Sequence, residues 1–128
     1  MTLTILIIED NAANLELMRY LLAAAGHTVL TAGDGQAGLD LAIEAVPDVI
    51  LCDLQMPVMD GYTFAARFRE VAALAATPLI AVTASAMQGD RQRVLAAGFD
   101  GYLTKPLEPE TFGAEVLAFY AQQRARPP

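Results

Sequence analysis

Scarcity narrows the possibilities first. The 128-residue chain has no tryptophan, one cysteine, one histidine and, among its eight basic residues, one lysine. A single cysteine, Cys52, allows no internal disulfide, which suits a reducing compartment, and its place in an apolar run marks a buried thiol rather than a nucleophile. A single histidine, His27, excludes a His/Cys zinc cluster, and between Gly26 and Thr28 it reads as a surface-loop residue. Eight basic against fifteen acidic residues give a net charge of −7, so direct nucleic-acid binding, which needs clustered Lys and Arg, is not expected. No basic region opens the chain, and Glu9-Asp10 interrupts the first apolar segment too early for a signal peptide. The longest uncharged stretch, Val71–Gly89, is rich in alanine and carries Pro78; it reads as a helix end, a loop and a strand, with no membrane insertion. A cytoplasmic location is expected.

What is present is a regular alternation. With 55% apolar and 18% charged residues, the chain reads as one folded domain over residues 1–128 with no further domain. Short apolar runs at Leu3–Ile8, Thr28–Ala32, Val49–Asp53, Pro78–Val82 and Phe99–Thr104 predict five strands. Between them, helical spacing predicts a first helix carrying Leu15, Met18 and Leu22 and stopped by Gly26. A second runs from Asp34-Gly35 to before Pro47, a third from Gly61 to about Ala73, and a fourth over Met87–Ala97 with Gly98 as its stop. A fifth extends from Pro109 in its first turn to about Arg124. Five βα units predict an α/β, doubly wound, five-stranded parallel sheet with five helices on its two faces.

Polar residues close the apolar runs. Glu9 and Asp10 follow the first, Asp53 ends the third, Thr83 follows Leu79–Val82, and Lys105 follows Tyr102–Thr104. Ligands of such sheets sit beyond the strand carboxyl ends, so these residues are candidates for one site. Two unit charges ~5 Å apart at an effective dielectric of ~20 repel by roughly 3 kcal/mol. Three acids together therefore cost on the order of 10 kcal/mol when fully ionised, comparable to a domain's whole stability. They persist by holding protons, by pairing with Lys105 or by binding a cation. All-oxygen ligands favour Mg²⁺, Mn²⁺ or Ca²⁺ over zinc, and an incomplete protein shell favours Mg²⁺. Thr83 offers a hydrogen-bond donor and Lys105 a counter-charge for a phosphoryl group, with Asp53 a nucleophile able to form an acyl phosphate.

These residues closely resemble the receiver domain of two-component response regulators. The matching blocks are Ile7-Ile8-Glu9-Asp10-Asn11, Asp53-Leu54-Gln55-Met56-Pro57 with Asp60-Gly61, Val82-Thr83-Ala84, and Gly98 through Pro106. They span nearly the whole chain in order. The resemblance implies a flavodoxin-like sheet of order 2-1-3-4-5, an order already known for the family and not deduced from the pattern. It further implies Asp53 as phosphoacceptor, and Glu9, Asp10, Asp53 and the backbone carbonyl of Gln55 as ligands of Mg²⁺ (or Mn²⁺). Thr83 matches the hydroxyl that contacts the phosphoryl group, Lys105 its ion-pair partner, and Tyr102 an aromatic switch that turns inward with Thr83. A cis Lys105–Pro106 peptide would aim the lysine. Gln55 and Ser85 stand where the family tunes dephosphorylation; neither is an evident general base, so no fast self-hydrolysis is expected.

The implied function is a phosphorelay response regulator, not an enzyme in the usual sense. It would take a phosphoryl group from a sensor histidine kinase or a histidine phosphotransfer protein docked on the first helix, about Ala12 to Ala25. It would signal to a downstream protein through the face made by the fourth helix, fifth strand and fifth helix, with Gln88, Asp90, Arg91 and Arg93 as candidate contacts. The blocks are similar to those of single-domain cell-division regulators and of receivers in hybrid kinases. Met1 just before the first strand favours a stand-alone protein over an excised hybrid-kinase receiver. A flavodoxin-like electron carrier is a rival, but Glu9-Asp10-Asn11 stands where a phosphate-cradling loop would be. A haloacid-dehalogenase-like aspartyl phosphatase would want a second Asp where Gln55 stands.

Overall fold

The computed structural model describes residues 2–56, 58–84 and 88–125, with the backbone alone at 88–90, 124 and 125. Five strands, β1 (Thr4–Ile8), β2 (Thr28–Ala32), β3 (Val49–Asp53), β4 (Leu79–Thr83) and β5 (Gly101–Thr104), form one parallel sheet of order β2-β1-β3-β4-β5. The helices are α1 (Ala12–Ala24), α2 (Gly35–Ala45), α3 (Gly61–Arg69), α4 (Gln88–Ala96) and α5 (Phe112–Ala125). This is the α/β doubly wound fold expected from the sequence.

Period-two alternation sorts the strand side chains between two cores. Leu6, Ile8, Ile50, Cys52, Leu79 and Ala81 pack against Leu39 of α2, Phe64 and Phe68 of α3 and Val94 of α4. Ile5, Ile7, Leu51, Ile80, Val82 and Leu103 pack against Met18 and Leu22 of α1 and Phe112 and Val116 of α5. Every residue of β3 and β4 is buried, as a central parallel strand covered on both faces must be. Asn11, Asp34 and Asp60 cap α1, α2 and α3 by accepting backbone N–H groups three residues on.

Some boundaries differ from the sequence reading. The third helix stops at Arg69, because Val71 is extended (φ −92°, ψ 108°) and a short 3₁₀ turn at Ala72–Leu74 swings Leu74 into the core. The fifth strand begins at Gly101, since the Phe99 N–H bonds back to Val94 and its ring plugs the end of α4 as core. The last helix begins at Phe112; Pro109 lies in the turn before it, whose Glu108 carbonyl accepts from Thr111 and Phe112. The predicted start of the fourth helix at Met87 lies outside the described residues.

His27 corrects the sequence reading outright. It is buried, and its Nδ1 accepts the Leu3 N–H at 3.0 Å. Gly26 (φ 95°) turns the chain so that the ring folds under β1 instead of facing solvent. Beside it, Asp48 accepts the Thr4 N–H at 2.8 Å while its own N–H donates to the Thr4 carbonyl, so two side chains fasten the start of β1. At the far edge, Arg69 donates to the Gly98 carbonyl and to Asp100, which also accepts the Leu79 N–H, fixing the entries of β4 and β5 to α3. Among the described residues no helix is long and apolar enough to cross a membrane.

A ring whose Nδ1 accepts a backbone N–H is neutral, and burial lowers the pKa of His27 below the ordinary histidine value. The unfolded chain therefore takes up its proton at higher pH than the folded one. The stabilising effect is complete above about pH 6.5 and is lost as pH falls through the folded value. In urea titrations from pH 7.5 to pH 5, the wild type should lose more stability than His27→Gln, which keeps an acceptor but does not titrate. Parallel pH dependence in the two proteins would contradict this.

Candidate functional site

Register alone lines up the polar strand ends. Ile8 pairs with Cys52, so Glu9 stands level with Asp53; Asp53 pairs with Val82, so Thr83 is one step beyond; Thr83 pairs with Thr104, so Lys105 is the next residue out. Backbone bonds extend this order past the strands, from Glu9 N–H to the Ala32 carbonyl and from Lys105 N–H to the Thr83 carbonyl (3.0 and 2.8 Å). Parity then separates two groups. Glu9, Asp53 and Lys105 continue the α1/α5 face of Ile7, Leu51 and Leu103, while Thr83 and Tyr102 share the α4 face with Ala81.

The acids converge. One carboxylate oxygen each from Glu9, Asp10 and Asp53 lies within 4.8 Å of the others, with Glu9 and Asp53 buried and Asp10 exposed. Lys105 Nζ lies between two of them, 2.9 Å from Glu9 Oε1 and 3.5 Å from Asp53 Oδ2. The Lys105–Pro106 peptide is cis. Asn11 N–H donates to the other oxygen of Glu9 (3.3 Å), and Gln55 N–H to Asp53 Oδ1 (3.2 Å). Thr83 is buried at the end of β4, and Tyr102 is half-buried on β5.

Two of the three remedies for charge crowding are visible. Burial, and then the hydrogen bond with Asp53, push the Glu9 carboxyl up to about 7 although Lys105 pulls it down. Burial works against the Lys105 ammonium too, but Glu9 and Asp53 outweigh it and raise its pKa. The third remedy is a cation. Glu9 Oε1 is buried and makes no hydrogen bond: the nearby ammonium is an ion-pair contact without hydrogen-bond alignment. A buried carboxyl oxygen short of a hydrogen bond, beside two more carboxyl groups, is a donor set that a hard divalent cation fits. Cys52, next to the acceptor candidate, is fully buried with its thiol pKa raised by burial first and then by Asp53 and Glu9, so it is an inert core residue.

The loop leaving β3 is tightly built. A Cβ on Gly61 would lie 2.8 Å from the Asp53 carbonyl oxygen and 2.8 Å from Leu54 Cα, so only glycine lets α3 begin this close to the acid. Val58 has φ 71°, a left-handed conformation that a β-branched side chain rarely adopts, and it is 90% exposed. Nothing in the sequence marks that residue. Pro57 and Ser85 lie outside the described residues, as do the side chains of Gln88 and Asp90.

Residues 5–117 match the response regulator receiver domain family. The polar-differentiation response regulator DivK of Brucella ovis is 38% identical over 112 residues, covering 88% of this chain and 91% of that protein. The chemotaxis response regulator CheY4 of Vibrio cholerae superposes with a TM-score of 0.88 at 31% identity, over 93% of this chain and 99% of that one. The receiver domain of a Pseudomonas aeruginosa sensor histidine kinase, solved with a magnesium ion coordinated in the active site cleft, gives 0.86 at 32% identity, over 94% and 99%.

Glu9 makes the site's pH response opposite in sign to that of His27. With a folded pKa near 7 against 4.5 for the free side chain, folded Glu9 holds a proton that the unfolded chain has released. Its stabilising share is complete below about pH 4.5 and is lost as pH rises through about 7. In metal-free buffer the wild type should therefore lose stability relative to Glu9→Gln between pH 5 and pH 8, measured by urea denaturation. A difference that stays flat across that range would refute it.

Proposed function

This chain belongs to the response regulator receiver domain family, and from that membership we propose that Asp53 is its phosphoacceptor, working in a site completed by Glu9, Asp10, Thr83 and Lys105. Receiver domains are switches of two-component phosphorelay signalling rather than classical enzymes. The observation that carries the residue assignment is the single ammonium of Lys105 shared between Glu9 and Asp53 beside a third acid at the sheet's carboxyl rim.

The donor is a phosphohistidine on a sensor histidine kinase or a histidine phosphotransfer protein, docking on α1. A carboxylate oxygen of Asp53 forms the new O–P bond as the N–P bond of the phosphohistidine breaks, and the imidazole leaves. Lys105 offsets the negative charge that arrives, and the Thr83 hydroxyl donates to a phosphoryl oxygen. Catalysis is then positioning and electrostatics. Glu9, Asp10, Asp53 and the Gln55 carbonyl would hold Mg²⁺ (or Mn²⁺), which supplies charge neutralisation for the transferring group. The amide of Gln55 is no general base, so no specially fast self-hydrolysis of the aspartyl phosphate is expected.

The phosphoryl signal passes from Thr83 to Tyr102, which share one face of the sheet, with Tyr102 paired to Ala81, two residues before Thr83. The output is a protein-binding surface on α4, β5 and α5. A groove of about 670 Å³ there, with Tyr102, Leu95 and Phe119 in its walls, supports that face as the docking place of the downstream protein.

An acyl-phosphate donor with Mg²⁺ should label the protein at one site, and Asp53→Asn should abolish the label by intact-mass measurement. Label persisting on another residue would overturn the assignment. Mg²⁺ at ten times its dissociation constant should stabilise the fold by about 1.4 kcal/mol, raising Tm by roughly 5 °C. Asp10→Asn should reduce that shift, and an unchanged shift would remove Asp10 from the metal site.

A further inference from the structure

Helix α4 is attached by little apolar packing. Among its described side chains Val94 alone is buried, while Arg91, Gln92, Arg93, Leu95 and Ala96 are exposed. Two aromatic rings supply what the apolar face does not. The Arg93 guanidinium lies 4.3 Å from the ring centroid of Tyr62, at the start of α3, and the Arg91 guanidinium 5.9 Å from that of Tyr102, on β5. Residues two apart on a helix point to different sides, so α4 is gripped on both flanks. Among the described residues neither arginine has a carboxylate partner in an ion pair. The acids beside Arg91 in the groove are otherwise engaged, Asp100 by Arg69 and the Leu79 N–H, and Glu115 by the Thr111 hydroxyl.

The two grips differ in kind. Tyr62 is braced edge-on by buried Phe99 (6.5 Å, 89°), and its arginine sits close. Tyr102 is half-buried in the wall of an open groove, and its arginine stands near the ~6 Å outer limit of a cation–π contact. A tight stack on a braced ring suits an anchor, and a loose one on a half-buried ring in a groove wall suits a release.

We propose that the Arg91–Tyr102 stack is a latch that holds Tyr102 outward before phosphorylation, and that Arg93–Tyr62 is the anchor about which α4 readjusts when the latch opens. The proposal rests on the reading of Tyr102 as the switch residue and adds what biases that switch. Arg91 is a positioning residue: it touches neither the phosphoryl group nor the acids. Inward rotation of Tyr102 breaks the stack and frees the guanidinium at the groove, so each state of the ring sets a different surface on α4.

The test uses 3-fluorotyrosine in the full chain and ¹⁹F NMR. The chain has four tyrosines, and the Tyr102 signal is assigned by its loss in Tyr102→Phe. In the wild type, acyl phosphate with Mg²⁺ defines the shift of the phosphorylated state. Without phosphate, Arg91→Gln should move the Tyr102 signal toward that position, a rise of about two- to fivefold in the inward population. Arg91→Lys, which keeps the cation, should move it less. Arg93→Gln should shift the Tyr62 signal and leave that of Tyr102 in place. If phosphorylation moves Tyr102 but Arg91→Gln does not, the latch is wrong and the switch stands. If phosphorylation leaves Tyr102 unmoved, the switch reading fails and the latch with it. Equal movement of Tyr102 in Arg91→Gln and Arg93→Gln would also overturn the latch, by showing a general loosening of α4.

Discussion

The site depends on one ammonium placed between two largely buried carboxyl groups. Glu9 is almost wholly buried and Asp53 nearly so, and the Lys105 contacts of 2.9 and 3.5 Å are what make their closeness tolerable. That ion pair is incomplete by design of its geometry: one oxygen of Glu9 remains without a hydrogen bond, and the carboxyl retains a proton near neutrality. A fully satisfied pair would be a structural bridge. A half-satisfied one keeps affinity for added positive charge and a reserve against added negative charge, which is the condition a phosphoryl acceptor needs.

Placement of that ammonium depends in turn on the sheet. Lys105 reaches Glu9 across β3 and β4 because Glu9 is level with Asp53, and Thr83 and Lys105 then each lie one step further out. The opposite edge of the sheet is fastened by His27 and Asp48 at β1 and by Arg69 and Asp100 at β4 and β5. Strands locked at their entries cannot slip in register, and a slip of one residue would turn every functional side chain to the wrong face. Apolar burial is concentrated in the sheet, whereas Val94 is the one buried side chain among those described in α4.

Much of this was legible in the sequence because the signals were local. Apolar runs ending in Glu9, Asp53, Thr83 and Lys105 need only strand periodicity and the rule that ligands gather at carboxyl ends. What failed was not local. His27 looked like a loop residue because its partner, the Leu3 N–H, is 24 positions away and is itself part of a strand. The early end of α3 follows from the need to bury Leu74, which no helix propensity encodes in a run of alanines. Val58 takes a positive φ with the wrong side chain for it, and the arginine–aromatic contacts of α4 join residues from three elements. Such features arise from assembly, and a pattern along the chain does not contain them.

Cys52 offers a consequence of a different kind. It is the sole thiol of the chain, sits on the innermost strand one residue before Asp53, and has no exposure to solvent. A thiol reagent can reach it only when β3 parts from its neighbours, so the modification rate measures how often the middle of the domain opens. The molecule thus carries its own reporter of breathing on its middle strand, one residue before Asp53.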